Sequence, residues 1–456
     1  MKKLYIIAGV LLTLSLDACE SFVELDTPKT QIVTSTVFSN DAGARASVSG
    51  ILSQMMNGTP FSGNSFGITV VAGLSADELN NNSSSSQQIS VYNNNLSASN
   101  NSVVSGNWND MYQYIYEANS IIEGAESSTG LSRPVRDQVI GEARFIRAFC
   151  YFYLINLYGD VPLITSTDYR VNRLASRTAM AEVYGQIEQD LIEAQKLLLE
   201  DYSFSLDEKI EPNKWAATAL LARSYLYEKK WNDAEIQSAA IINSELFSLT
   251  DLESVFLANS DEAIWQLMPV LPGYNTNEGM YMIIASTPTR VSASTYATSV
   301  FEPGDGRESS WLGSYTTGGK TYRYAYKYKI RATGKPLTEY YMVFRLAEQY
   351  LIRAEARAMQ NNLPGAVDDI NVIRERAGLD PIDATGLSQQ DVLDAIIHER
   401  RAELFIEWGH RWFDLKRSGT IDAVLGAVKS DWQSKDALFP IPQTELNADP
   451  NLVQNP

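Results

Sequence analysis

Histidine and cysteine are nearly missing from this 456-residue chain, at two residues each, and the shortage removes several chemistries. Two thiols cannot build a disulfide framework, and Cys150 lies in the apolar run AFCYFYLINLY, where a thiol packs as a small hydrophobe. His398 and His410 stand twelve apart, whereas a zinc-binding helix sets its pair four apart, so both read as structural. The chain also lacks a Gly-rich phosphate loop, an HExxH helix, cysteine spacing for zinc and a nucleophile elbow. Positive charge is short as well: 37 Lys and Arg against 55 Asp and Glu leave a net charge of −18 with no basic cluster, which argues against nucleic acid. Acidic residues are so common that their presence alone does not argue for the paired carboxylates of a glycan hydrolase. Nothing calls for a cofactor, and no acidic spacing marks a dedicated metal site.

No apolar run is long enough to cross a bilayer comfortably. Leu4 to Leu16, preceded by Lys2 and Lys3, has the short length of a signal peptide, and it ends at Leu16-Asp17-Ala18-Cys19. That tetrapeptide resembles a lipobox, although Asp17 departs from the small or apolar residue usual there. The expected organisation is therefore a leader over 1–18, a tether over 19–35 lipidated at Cys19, and one domain over 36–456.

Helical periodicity dominates that domain. Val37, Phe38, Ala42, Ala46 and Ile51 predict a first helix capped by Asn40 or Asp41. Long amphipathic helices follow over 135–157 and 183–199, the former stopped by Gly159-Asp160-Val161-Pro162. The hairpin from Trp215 to Ile242 carries Leu221, Ala222, Tyr225 and Ala234 at tetratricopeptide spacing, with Ser238 and Ile241 replacing the usual aromatic and alanine. A comparable pair is expected from Tyr341 to Arg376, and another from Val392 to Arg417 with a shorter partner. Within the last, His398 to Gly419 read as one helix places Leu404, Trp408 and Trp412 on one stripe. Glu399, Glu403 and Glu407 then share a neighbouring stripe and call for partners, for which Arg400, Arg401, Arg411 and Arg417 are the nearby candidates.

The run ERRAEL from Glu399 to Leu404, then EWGHRWFDLKR from Glu407 to Arg417, resembles the C-terminal signature of the SusD/RagB family. So does the closing segment, with Leu438 to Gln443, Glu445, and Asn447 to Pro456. Ala143, Arg144, Arg147 and Ala148 resemble that family's long helical motif. The resemblance implies a mainly α fold: tetratricopeptide-like pairs at about 135–157, 183–242 and 341–417 support an irregular half with short β-hairpins. It further implies a surface lipoprotein of Bacteroidetes, anchored in the outer membrane by Cys19 and facing outwards. Such a protein captures oligosaccharide and passes it, without catalysis, to a TonB-dependent transporter that it covers as a lid. A peptide-binding relative is the nearest alternative, followed by a surface hydrolase and a pure interaction scaffold.

Two stretches differ from the helices. Residues 77–109 hold ten Asn and nine Ser without one Lys or Arg, a composition that builds no core. By itself it suits a solvated or disordered loop; the resemblance shifts it toward a ligand-facing one. Residues 243–340 are rich in Gly, Thr, Ser and Tyr, with a strand expected from Ala263 to Met268. A hairpin is expected from Tyr315 to Ile330, turning at Gly318-Gly319, with Tyr322, Tyr324, Tyr326 and Tyr328 on one face and Lys327 and Lys329 on the other. Sugars stack on Tyr and Trp while amides address hydroxyls, which selects Asn80, Tyr92, Tyr274, Tyr296, Trp311 and Tyr315. Any of these could equally be packing. Trp311 stands out because its loop, Gly306 to Gly313, has no period to bury it.

Overall fold

The computed structural model describes residues 34–99 and 102–455; the leader, Cys19 and most of the tether lie outside them. Apolar stripes set where the helices form, and side-chain caps open several of them. Asn40 accepts a bond from Gly43 N and opens α1 (Asp41–Asn57). The helices α2 (Ile68–Ser75), α3 (Ser86–Tyr92), α4 (Ser102–Ser127), α5 (Arg133–Tyr158) and α6 (Met180–Leu197) follow. Proline begins α5, and Gly159 ends it at φ 76°, a conformation that costs glycine nothing. Asn213 accepts from Trp215 N and Ala216 N to start α7 (Lys214–Tyr227), which turns into α8 (Trp231–Ile242). Next come α9 (Leu346–Met359), α10 (Leu363–Arg376), α11 (Gln389–Glu403), α12 (His410–Arg417) and α13 (Ile421–Val428), with a short helix over Gln443–Ala448 in the tail. A reciprocal Ser388 and Asp391 capping box opens α11.

Packing runs from neighbour to neighbour: α5 lies between α4 and α6, α7 packs on α6 and α8, and α9 packs on α8, α10 and α11. This is the stacked-pair architecture expected from the tetratricopeptide spacing. Short strands cross its flank in antiparallel pairs: β1 (Leu79–Asn81) with β3 (Val291–Ala293), β2 (Ala263–Leu267) with β6 (Tyr341–Arg345), and the hairpin β4 (Leu312–Thr317) with β5 (Lys320–Ala325). Every residue of β2 and β6 is buried. There Phe149 of α5 meets Trp265 at 5.4 Å and 88°, Phe344 at 6.0 Å and Trp408 at 5.9 Å, edge-to-face contacts that join the helical stack to the irregular half.

Four expectations need correction. Tyr341 to Arg345 is the strand β6, and its helix begins only at Leu346; the run of Tyr, Met, Val and Phe is buried on both faces of the strand, where aromatic and β-branched side chains pack well. The hairpin ends at Ala325, so Tyr326 to Ile330 leave the ladder, and both Tyr328 and Lys327 turn inward. Residues 77–99 contain β1 and α3 instead of plain loop. The signature stretch is not one helix: α11 stops at Glu403, and Ile406, Trp408 and Gly409 adopt φ of 48°, 49° and 73° before α12 begins. Released backbone N–H groups find fixed acceptors, Ile406 N on Glu78 Oε1 at 2.8 Å and Trp408 N on Thr69 Oγ1 at 3.1 Å. These bonds hold a β-branched residue where it is rarely found.

Candidate functional site

The signature glutamates are satisfied from a distance. Glu403 accepts from Arg345 at 2.5 Å, Arg307 at 3.0 Å and also Arg376. Glu407 takes Arg345 Nε at 2.9 Å and Lys327 Nζ at 2.7 Å, and Glu399 takes Arg307 at 2.6 Å. Burial pushes the Glu403 carboxyl up, but Arg376, Arg345 and Arg307 overcome it and hold the group well below its ordinary range. Among the local arginines expected as partners, Arg400 and Arg417 bind Asp414 and Arg411 forks onto Asp77, while Arg401 donates to the Tyr296 carbonyl. The network ties the irregular half to α10 and α11, which makes it a structural clamp.

The irregular half carries a different kind of polar site. Asn82 N donates to Arg290 O at 2.7 Å, extending the β1 and β3 pairing, and Asn82 Nδ2 donates to Ser292 Oγ at 3.0 Å. This stitching fixes the start of β3 and with it a small cleft of about 110 Å³, lined by Tyr281, 283–291 and Arg331. Ser286, Thr287, Thr289, Arg290 and Arg331 in its wall are exposed. The Arg290 guanidinium lies 5.1 Å from the Tyr281 ring centroid and donates to Met280 O at 2.9 Å, while the Tyr281 hydroxyl accepts from Gln88 of α3. An oriented ring, two cations and several hydroxyls therefore converge on a notch sized for part of a ligand. No carboxylate or histidine is among its lining residues, so the chemistry offered is hydrogen bonding and ring contact, with no acid and base pair for hydrolysis. Among the described residues, no group of three or more His, Cys, Asp or Glu side chains could hold a metal ion.

Two family models match this chain: one described as the SusD family over residues 274–456, and one described as starch-binding associating with outer membrane over residues 29–226. Over these two segments the chain is similar to the SusD family. A SusD-like protein of Formosa agariphila is 27% identical, covering 100% of this chain and 98% of its own length. A SusD superfamily protein from Bacteroides vulgatus has the same fold with a TM-score of 0.79 at 22% identity, covering 92% of this chain and 99% of that one. A laminarin-binding SusD-like protein superposes with a TM-score of 0.78 at 23% identity, over 91% and 99%.

Within this SusD fold the six residues selected by loop chemistry disperse. Trp311 is the clear departure: it ends a short helix, Gly306–Trp311, and is 0% exposed. Its indole N–H donates to Leu252 O at 2.8 Å, and Lys327, Arg376 and Arg345 lie 5.0, 5.4 and 5.8 Å from its ring. It lines the ionic clamp and has no face left for a ligand. Tyr92 is partly buried against Lys429, whose ammonium lies 5.2 Å from the ring and donates to Leu74 O, Ser75 O, Tyr92 O and Asn94 Oδ1. Asn80 donates to Ala293 O at 3.2 Å within the β1 and β3 ribbon, and Tyr315 pairs across the hairpin with Tyr322. Tyr296 is 48% exposed just beyond β3, on the side facing Arg401. Tyr274 follows the turn at Leu271, beside the loop that carries Arg331. Sequence reasoning missed Tyr281, Arg290 and Arg331; the one signal for them was the aperiodic run of Ser, Thr and Pro from 286 to 289.

Proposed function

We propose that the protein is a glycan-binding lipoprotein of the cell surface, held in the outer membrane by lipid on Cys19, that captures oligosaccharide and delivers it unaltered to a TonB-dependent transporter. The cleft at Tyr281, Arg290 and Arg331 carries this reading, because it presents an aromatic ring and hydroxyl-addressing groups without a catalytic pair. The laminarin-binding relative and the starch-binding description of the matched family support the choice of sugar over peptide. Among the described residues no helix is long and apolar enough to cross a membrane, so attachment falls to the anchor. The stacked helices offer the broad surface against which a transporter would seat the lid.

Isothermal titration with laminarin and maltodextrin fragments tests the reading, with the incubated glycan then sized by chromatography. Saturable binding with unchanged chain length is the expected result. Release of shorter sugars, or binding only to peptides in a parallel panel, would overturn it.

A further inference from the structure

A second cavity lies away from the Tyr281 cleft. It has a volume of about 520 Å³ and runs between α4 and the C-terminal tail, within the usual range for ligand sites. Its aromatic side comes from one stripe of α4, where Trp108, Tyr112 and Tyr116 follow at intervals of four. Trp108 is the buried base, and Tyr112 is fixed by donating its hydroxyl to Pro162 O at 2.7 Å, with its ring 4.9 Å from that of Trp108. Tyr116, one turn on, is 54% exposed and unusually bare for a tyrosine beside a cavity.

The opposite wall is the tail whose sequence resembles the family's closing motif, and it is rigidly held. Gln443 N donates to Ala98 O at 2.9 Å, Asn451 Nδ2 to Leu174 O at 2.9 Å and Asn455 Nδ2 to Phe439 O at 2.7 Å. From this wall Glu445 lines the cavity, and burial raises its carboxyl above the ordinary value. Among the described residues that carboxyl accepts only a long contact of 3.4 Å from Thr444. Exposed Arg173 and Asn109 complete the rim. Such a lining has donors and acceptors of both charges around aromatic faces and little net charge, which suits a neutral polyhydroxylated ring better than an ion.

We propose that this cavity is a second saccharide subsite, in which a sugar ring covers Tyr116 and its hydroxyls are addressed by Glu445, Arg173 and Asn109. The proposal rests on the glycan reading above. Two subsites on separate faces let one molecule hold two segments of a long chain, or two chains, and raise capture by avidity.

Native gels cast with laminarin, starch or xylan identify a retarding polysaccharide, and calorimetry with a short oligosaccharide of that glycan then counts the sites. Wild type should bind two equivalents. Tyr116→Ala and Glu445→Gln, at partly exposed positions that leave the core intact, should each weaken one site by about five- to tenfold. The paired variant Tyr281→Ala with Arg290→Ala should leave the Tyr116 site working. One equivalent in wild type, abolished by the paired variant and untouched by Tyr116→Ala, overturns the second subsite while the glycan reading stands. No retardation of wild type in any gel overturns both. An unchanged isotherm for Tyr116→Ala also rejects the subsite.

Discussion

The ionic clamp and the Tyr281 cleft are both rich in guanidinium groups, yet they use them in opposite ways. In the clamp, Arg307 and Arg345 are buried, Arg376 is partly buried, and each is matched by carboxylates within hydrogen-bond reach. In the cleft, Arg290 and Arg331 face solvent, and Arg290 touches only a carbonyl and a ring. Charge that has been neutralised inside contributes rigidity and no recognition; charge left open contributes recognition and little stability.

Breaking the clamp should have the largest effect. Arg345→Ala leaves Glu262, Glu403 and Glu407 buried without a shared cation, and the cost should be about 3–5 kcal/mol, read from chemical denaturation. Next comes pH. Burial raises the Glu278 carboxyl to about 8 from 4.5, with Lys327 opposing and Glu407 assisting. Its proton is held in the folded state and released in the unfolded one, so this contribution is complete below pH 4.5 and is lost as pH rises toward 8. Glu403 and Glu407 are shifted downward and act in reverse, losing stability as pH falls below their unfolded value of 4.5. Glu278→Gln should therefore remove a loss of stability between about pH 5 and pH 8, by an amount on the order of a few kcal/mol read from melting curves across that range. In the cleft, Arg290→Ala should change stability by less than about 0.5 kcal/mol while weakening oligosaccharide binding about tenfold. Smallest of all, Arg170→Ala breaks a fully exposed pair with Asp168 and should leave both the melting temperature and the isotherm unchanged.

The same contrast separates what the sequence makes legible from what it hides. Helix pairs such as α7 with α8 announce themselves through local spacing and the Asn213 cap of the first, so their positions follow from neighbouring residues alone. The clamp does not: Arg307 meets Glu403 across 96 positions and Arg345 meets Glu262 across 83, and no local pattern encodes such partners. Trp311 misleads for the same reason, since what buries it is a set of cations supplied by distant segments. The cleft is visible in the sequence only as a region. Its working residues sit where periodicity is absent, and side-chain direction in such a segment is set by tertiary bonds such as Asn82 to Ser292.

The grip of Lys429 on Leu74 O and Ser75 O spans as many as 355 positions, and Arg411 reaches Asp77 across 334. The amide-rich strand and helix behind the recognition face are thus fastened by residues that leave the ribosome almost last. Closure over such distances is slow and cannot begin on a nascent fragment. The Tyr281 face acquires its final form only once synthesis is complete, an order of events that agrees with the export proposed above.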